Sequence, residues 1–302
     1  MASTDEPVRQ RAPKQESGHS RELERPPSPE PLAVPVIDSH CHLDIADGDA
    51  GAEWLGVDEA VRRAASVGVA RIVQVGYDVA SSTWSARAAE ANEAVVAAVA
   101  VHPNEAPRIA GRDGRAALEA AWDDVASLAA LPRVRAVGET GMDRFRTGDD
   151  GRDVQEESFR RHIAMAKHAG KALVIHDRDA HDDVVRVLES EGAPELVVLH
   201  CFSGDAAMAR YCVEQGWYLS FAGTITFKNA ASLREALVAV PLEQLLVETD
   251  APYLTPAPYR GRPNASYLVP HIVRSMAETR GDDLDTLCAA LFTNAQRVFG
   301  PW

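Results

Sequence analysis

The sequence predicts a (β/α)8 barrel, and three observations carry that prediction. Eight short runs rich in Val, Leu and Ile recur along the chain, beginning at Val36, Arg71, Val95, Val134, Ala172, Leu196, Tyr218 and Leu245. Most lack the alternation of a half-solvated strand, as parallel strands covered on both faces should. Stretches with helical periodicity separate them, and strands that alternate with helices imply a parallel sheet. The eight units occupy about 265 residues, close to the usual size of such a barrel. An open doubly wound sheet is the competing architecture, but no Gly-rich phosphate loop follows the first strand.

The elements follow in order. The first strand, from Val36, runs into Ile37-Asp38-Ser39-His40-Cys41-His42-Leu43-Asp44. A helix over Val57 to Val67 stops at Gly68 and leads into Arg71 to Val75. A second helix, Ser82 to Ala91, precedes the strand from Val95 to Val101. Arg115 to Ala130 forms the next helix before Val134-Arg135-Ala136-Val137-Gly138-Glu139. Val154 to Ala169 stops at Gly170 before Ala172 to His176, and His181 to Glu191 stops at Gly192 before Leu196 to His200. Ala206 to Gln215 and Gly216 precede the strand Tyr218 to Phe221, and Ala230 to Val240 precedes Leu245 to Asp250. Apolar residues three and four apart mark the helices, and glycine just past the end is a stop signal.

Five of the strands end in a residue type that binds metals: His40 and His42, Glu139, His176, His200 and Asp250. Residues two apart on a strand share a face, so His40 and His42 converge on one point. Buried His, Glu and Asp are costly unless paired or metal-bound, so packing does not explain five such endings together. In a barrel the C-terminal ends of all strands face one mouth, and active sites sit there. Six ligand-type residues exceed the needs of one tetrahedral ion, which points to two divalent cations, with Glu139 able to bridge them. The donor set accepts Zn, Mn, Co or Ni; Mg prefers oxygen donors but stays among the candidates.

The stretches IDSHCHLD, VAVHPNE, VGETGMD, LVIHDRDA, VLHCFSG and ETDAPYLTPAPYRGRPN, from Ile37 to Asn264, resemble the TatD-type metal-dependent deoxyribonucleases. These are a branch of the amidohydrolase-like barrel hydrolases. The C-terminal LFTNAQRVFG also looks familial. The resemblance implies a barrel, two divalent cations and phosphodiester hydrolysis of DNA, in the manner of a 3′-5′ exonuclease. Carried over residue by residue, it places His40, His42, Glu139 and Asp250 on one ion, and Glu139, His176 and His200 on the other. Related barrels with a carboxylated lysine carry it at the end of strand four, where this chain has Glu139. One departure is Ser266, where relatives often have proline.

The resemblance and the strand ends together assign catalysis to Asp250, as ligand and proton acceptor, and to Glu139. Candidate substrate contacts are His102, at the end of the third strand, and the cations Arg178, Lys228, Arg260 and Arg262 near the mouth. Two other function classes stay open. One is an amidohydrolase-type enzyme cleaving an amide, ester or lactone, aminoacyl-tRNA deacylation included. The other is a non-catalytic scaffold, which the full ligand set disfavours.

Residues 1–35 differ from the rest, with seven prolines, many charges and few large apolar residues. Such a segment is expected to be a disordered, solvated tail preceding a barrel domain over 36–302. It lacks the apolar core of a signal peptide, and no run approaches a membrane span, so a cytoplasmic location is expected. The four cysteines, Cys41, Cys201, Cys212 and Cys288, are read as free thiols. Cys41, between two ligands, should point to the opposite face of its strand. With 31 basic and 45 acidic residues the net charge is −14. That argues against tight non-specific binding to duplex DNA, which relies on a basic face. Weak action on strand ends or single strands by a monomer is the expectation.

Overall fold

The computed structural model describes residues 4, 6–11, 22–47, 54–300 and 302. Eight parallel strands form the barrel: Val36–Cys41, Val69–Val75, Val95–Val99, Val134–Asp143, Ala172–Arg178, Val197–Leu199, Tyr218–Phe221 and Leu245–Val247. Each pairs with its neighbour in sequence order. The first and eighth meet at the mouth, where the His42 N–H donates to the Ala251 carbonyl at 2.7 Å and the Asp250 N–H to His40 at 2.9 Å.

All eight runs expected to be strands are strands, and the fourth and fifth extend further, to Asp143 and Arg178. The second helix starts earlier, at Val79, because Asp78 caps it: its carboxylate accepts from the Ser81 N–H at 2.7 Å. Three helices were not marked out in the sequence: Glu105–Asp113, Val269–Arg280 and Leu284–Phe299. The last packs against the first and eighth strands and, through Ala295, Val298 and Phe299, against the barrel's interior side chains.

The barrel interior explains the mouth. Ile37, Val73, Val75, Val96, Ala98, Ala136, Ala172, Val174, Val198, Tyr218 and Leu246 form one buried cluster with contributions from every strand. Counting on by twos along the strands from these inward residues leads to His102, His176, His200, Glu248 and Asp250. The first and fourth strands break this parity. Register shifts between Asp38 and Cys41, and between Val137 and Thr140, bring His40, His42 and Glu139 to the inner face. At the second shift only glycine fits, since a Cβ on Gly138 would lie 2.5 Å from the Val174 carbonyl oxygen. Cys41 belongs to the outer cluster between strands and helices, opposite its neighbouring histidines.

Several described parts of the expected tail meet the barrel; residues 1–3, 5 and 12–21 lie outside the described residues. Leu32 is buried, the Tyr267 hydroxyl donates to the Pro26 carbonyl at 2.6 Å, and Arg274 donates to Glu30 and Pro31 carbonyls. Residues Arg9–Arg11 add a short parallel strand to Ile45–Asp47, beside the mouth. Among the described residues no helix is long and apolar enough to cross a membrane.

Candidate metal centre

Glu139 stands at the middle of the mouth with five imidazoles around it. His176 Nδ1 lies 2.6 Å from Oε1, His200 Nε2 2.9 Å and His102 Nε2 3.3 Å. On the other carboxylate oxygen, His40 Nε2 is at 3.6 Å and His42 Nε2 at 3.8 Å. Asp250 Oδ1 closes the group, 3.5 Å from His42 Nε2 and 3.9 Å from His40 Nε2. The structure thus brings together all six residues expected to bind metal, from five strand ends. Two donors bound to one ion at about 2.1 Å in tetrahedral geometry sit roughly 3.4 Å apart, within the range of these separations.

Outer partners decide which nitrogen of each ring faces inward. His42 Nδ1 is held from outside, 2.8 Å from the Val75 carbonyl and 3.2 Å from the Arg9 guanidinium, which leaves Nε2 as the nitrogen that faces the mouth. His200 Nδ1 meets Glu248 at 3.1 Å, and His176 Nε2 meets Asp143 at 3.2 Å. His102 differs. Its Nδ1 accepts from the Asn104 N–H at 3.0 Å, so in the neutral ring Nε2 carries the proton. That ring offers a donor, not a ligand lone pair, although by distance it groups with Glu139 and His176. Both nitrogens of His40 are buried without a hydrogen-bond partner. A buried polar atom left so is costly, and a cation beside Nε2 would satisfy it.

Electrostatics agree with a cation-binding cluster. Burial opposes the charge of Glu139, but the imidazoles of His200 and His102 outweigh it and hold the carboxyl well below its usual range. Burial likewise opposes a charge on His200, yet Glu139 and Glu248 push it well above the usual imidazole value. Burial, then the charge of His200, lowers His40. Asp250 is held low despite burial by its hydrogen bond from His42 and by His40. Its backbone is left-handed, φ 51°, a conformation rare outside glycine that fixes its carboxylate over the mouth.

The expected substrate cations divide. Arg178 stacks on Phe145, with its guanidinium carbon 3.9 Å from the ring centroid, and Arg260 stacks on Phe227 at 4.0 Å. Lys228 is exposed beside Phe227. Arg262 is instead paired with Glu24 at 2.9 Å and Glu22 at 3.4 Å. Sequence reasoning missed Asn104, Asp143 and Glu248. Glu248 was within reach, since it lies two residues before Asp250 and shares its face. Asp143 closes the VGETGMD stretch, but only tertiary structure shows it against His176.

The barrel and its histidine–carboxylate mouth define a metal-dependent hydrolase. The family model described as TatD related DNase matches residues 37–300, and the chain belongs to that family. It is 48% identical over 269 residues to the uncharacterized metal-dependent hydrolase TatD of Mycobacterium tuberculosis, covering 88% of this chain and 98% of that one. It is 33% identical over 250 residues to the 3′-5′ ssDNA/RNA exonuclease TatD of Citrobacter rodentium, covering 80% and 91%. Among solved structures, the TatD homologue YJJV of Escherichia coli superposes with a TM-score of 0.78 at 26% identity, covering 88% of this chain and 98% of that one.

Proposed function

We propose that the protein hydrolyses phosphodiester bonds of DNA with two divalent cations, removing nucleotides from the 3′ ends of single strands. The observation that carries this reading is the single carboxylate, Glu139, shared by imidazoles on both of its oxygens. His40, His42 and Asp250 would hold one ion with Glu139, and His176 and His200 the other. Bound ions of this kind neutralise phosphate oxygens and acidify water. The relative named as a 3′-5′ exonuclease supports a nucleic-acid substrate.

The chain's own groups then have defined tasks. Asp250, ionised and facing the mouth, accepts the proton of the attacking water. His102 is neutral, because burial lowers its pKa. It therefore donates a hydrogen bond from Nε2 to a phosphate oxygen and does not give up a proton to the leaving group. Glu248 and Asp143 hold the rings of His200 and His176 in position.

The test is incubation of the full-length protein, as purified, with 3′-labelled single-stranded DNA and with a panel of carboxylic esters, lactones and amides. The expected result is release of label in the presence of Mn or Zn and none in excess chelator. Turnover of the ester panel without cleavage of DNA would replace this reading by the amidohydrolase one.

A further inference from the structure

Phe145 is the most exposed of the large apolar side chains described, at 58%. A lone exposed phenylalanine needs no explanation, but the surroundings of this one are specific. It sits two residues beyond Asp143, on the rim of the mouth, with the Arg178 guanidinium stacked 3.9 Å from its ring. Its loop is held tightly. Asp143 Oδ1 accepts from the Phe145 N–H at 2.9 Å and from the Arg146 N–H at 2.8 Å, and the Arg144 N–H donates to the Arg178 carbonyl at 2.9 Å. The other oxygen of the same carboxylate meets His176 Nε2 at 3.2 Å. The backbone that carries the ring is therefore fixed relative to a candidate metal ligand, and the Arg178 guanidinium lies against the ring.

Charge adds a second, independent observation. In this acidic chain, Arg9, Arg115, Arg160, Arg186 and Arg262 are all paired with carboxylates. Of the arginines at the mouth, Arg178 and Arg260 have no carboxylate at ion-pair distance among the described residues; each has an aromatic ring instead. Unpaired strands are bound by this combination, a planar surface on which a base stacks and a cation for the neighbouring phosphate. A small ester would need neither.

We propose that the Phe145–Arg178 pair is a stacking platform for an unpaired base next to the bond being cleaved. The Phe227–Arg260 pair, three strands further round the mouth, repeats the arrangement. The proposal rests on the phosphodiesterase reading for its substrate, but its test reads binding and not cleavage.

The experiment compares two phosphorothioate-linked strands of equal length, one of oligothymidylate and one abasic. Their binding to the full-length protein is followed by fluorescence anisotropy. The native protein should prefer the strand with bases. Phe145→Ala should cut that preference by roughly 5-fold to 100-fold, the range found when one stacking side chain is removed. Phe145→Trp should keep it, and both variants should melt at the native temperature because the ring lies outside the core. Equal binding of both strands to the native protein, or an undiminished preference in Phe145→Ala, would overturn the platform. Failure to cleave DNA with the preference intact would instead count against the catalytic reading alone.

Discussion

His162 makes the fold sensitive to acid in a way that can be calculated. It lies within the helix Arg152–Ala169 and is fully buried. Its Nε2 accepts from the Val101 N–H at 3.0 Å and its Nδ1 lies 2.6 Å from the Ser158 carbonyl. One nitrogen accepts and the other donates, so the geometry requires a neutral ring. Burial pushes its pKa down to about 4. Between pH 4 and 6.5 the unfolded chain binds a proton here that the native chain refuses, so this group's contribution is full above pH 6.5 and is lost as pH falls towards 4. From pH 7 to pH 5 the loss is about 2 kcal/mol, taking 1.36 kcal/mol per pKa unit. Urea unfolding at the two pH values, for the native protein and for His162→Gln, isolates the effect. The variant has no proton to bind, so it should lose about 2 kcal/mol less on acidification, although it is less stable at pH 7. Equal pH dependence of the two proteins would refute the neutral buried ring. Because His162 grips the backbone next to His102, acid should also loosen that side of the mouth before the barrel unfolds.

Other perturbations address the metal centre and its surroundings. Glu139→Ala should abolish binding of both ions, since Glu139 faces both groups of donors; titration calorimetry showing two tight ions retained would exclude bridging. Asp250→Asn should slow turnover by about 10²–10⁴-fold, and restoration of the rate by excess metal would show that Asp250 only binds the ion. Arg9→Ala should cost about 1–3 kcal/mol of unfolding free energy, because Asp44 is buried and accepts from Arg9 at 2.6 and 3.0 Å. Adding Asp44→Asn should recover much of that loss, and a loss unchanged in the double variant would show that the pairing is not its source.

The sequence was most legible where one physical rule acts alone. Strands buried on both faces must be apolar, so eight runs stood out, and costly polar residues at their ends marked the mouth. Legibility failed where two rules compete. Parity along the strand predicts that Gly138 and Ser39 face inward, and register shifts put Glu139, His40 and His42 there instead. The segment before the barrel was read by its shortage of apolar residues. Its described parts are anchored mainly by polar groups: Arg9 on Asp44 and Tyr77, and backbone carbonyls of Pro26, Glu30 and Pro31 that accept from the barrel. Composition measures apolar burial and says nothing of such pairings. Asn104, Asp143 and Glu248 escaped for a related reason. Their task is to orient another side chain, and that partner is distant in sequence.

The net charge of −14 limits how a nucleic acid can be held. At physiological salt the Debye length is about 8 Å, so an acidic outer surface repels a strand only near contact and supplies no long-range attraction. The arginines of the outer helices do not reverse this, because Arg115 is engaged with Glu157, Arg160 with Glu191 and Arg186 with Glu156. At the mouth the balance differs. The carboxylates there face imidazoles or would face cations, while Arg178, Arg260 and Lys228 stand at the rim without carboxylate partners among the described residues. Binding must then come from short-range terms: ions on one phosphate, a few cations beside it, and planar contacts with bases. Duplex DNA offers its phosphates but hides the faces of its bases, so it would meet the repulsion without the stacking. A strand end offers both, and that asymmetry favours the end of a single strand over the middle of a duplex.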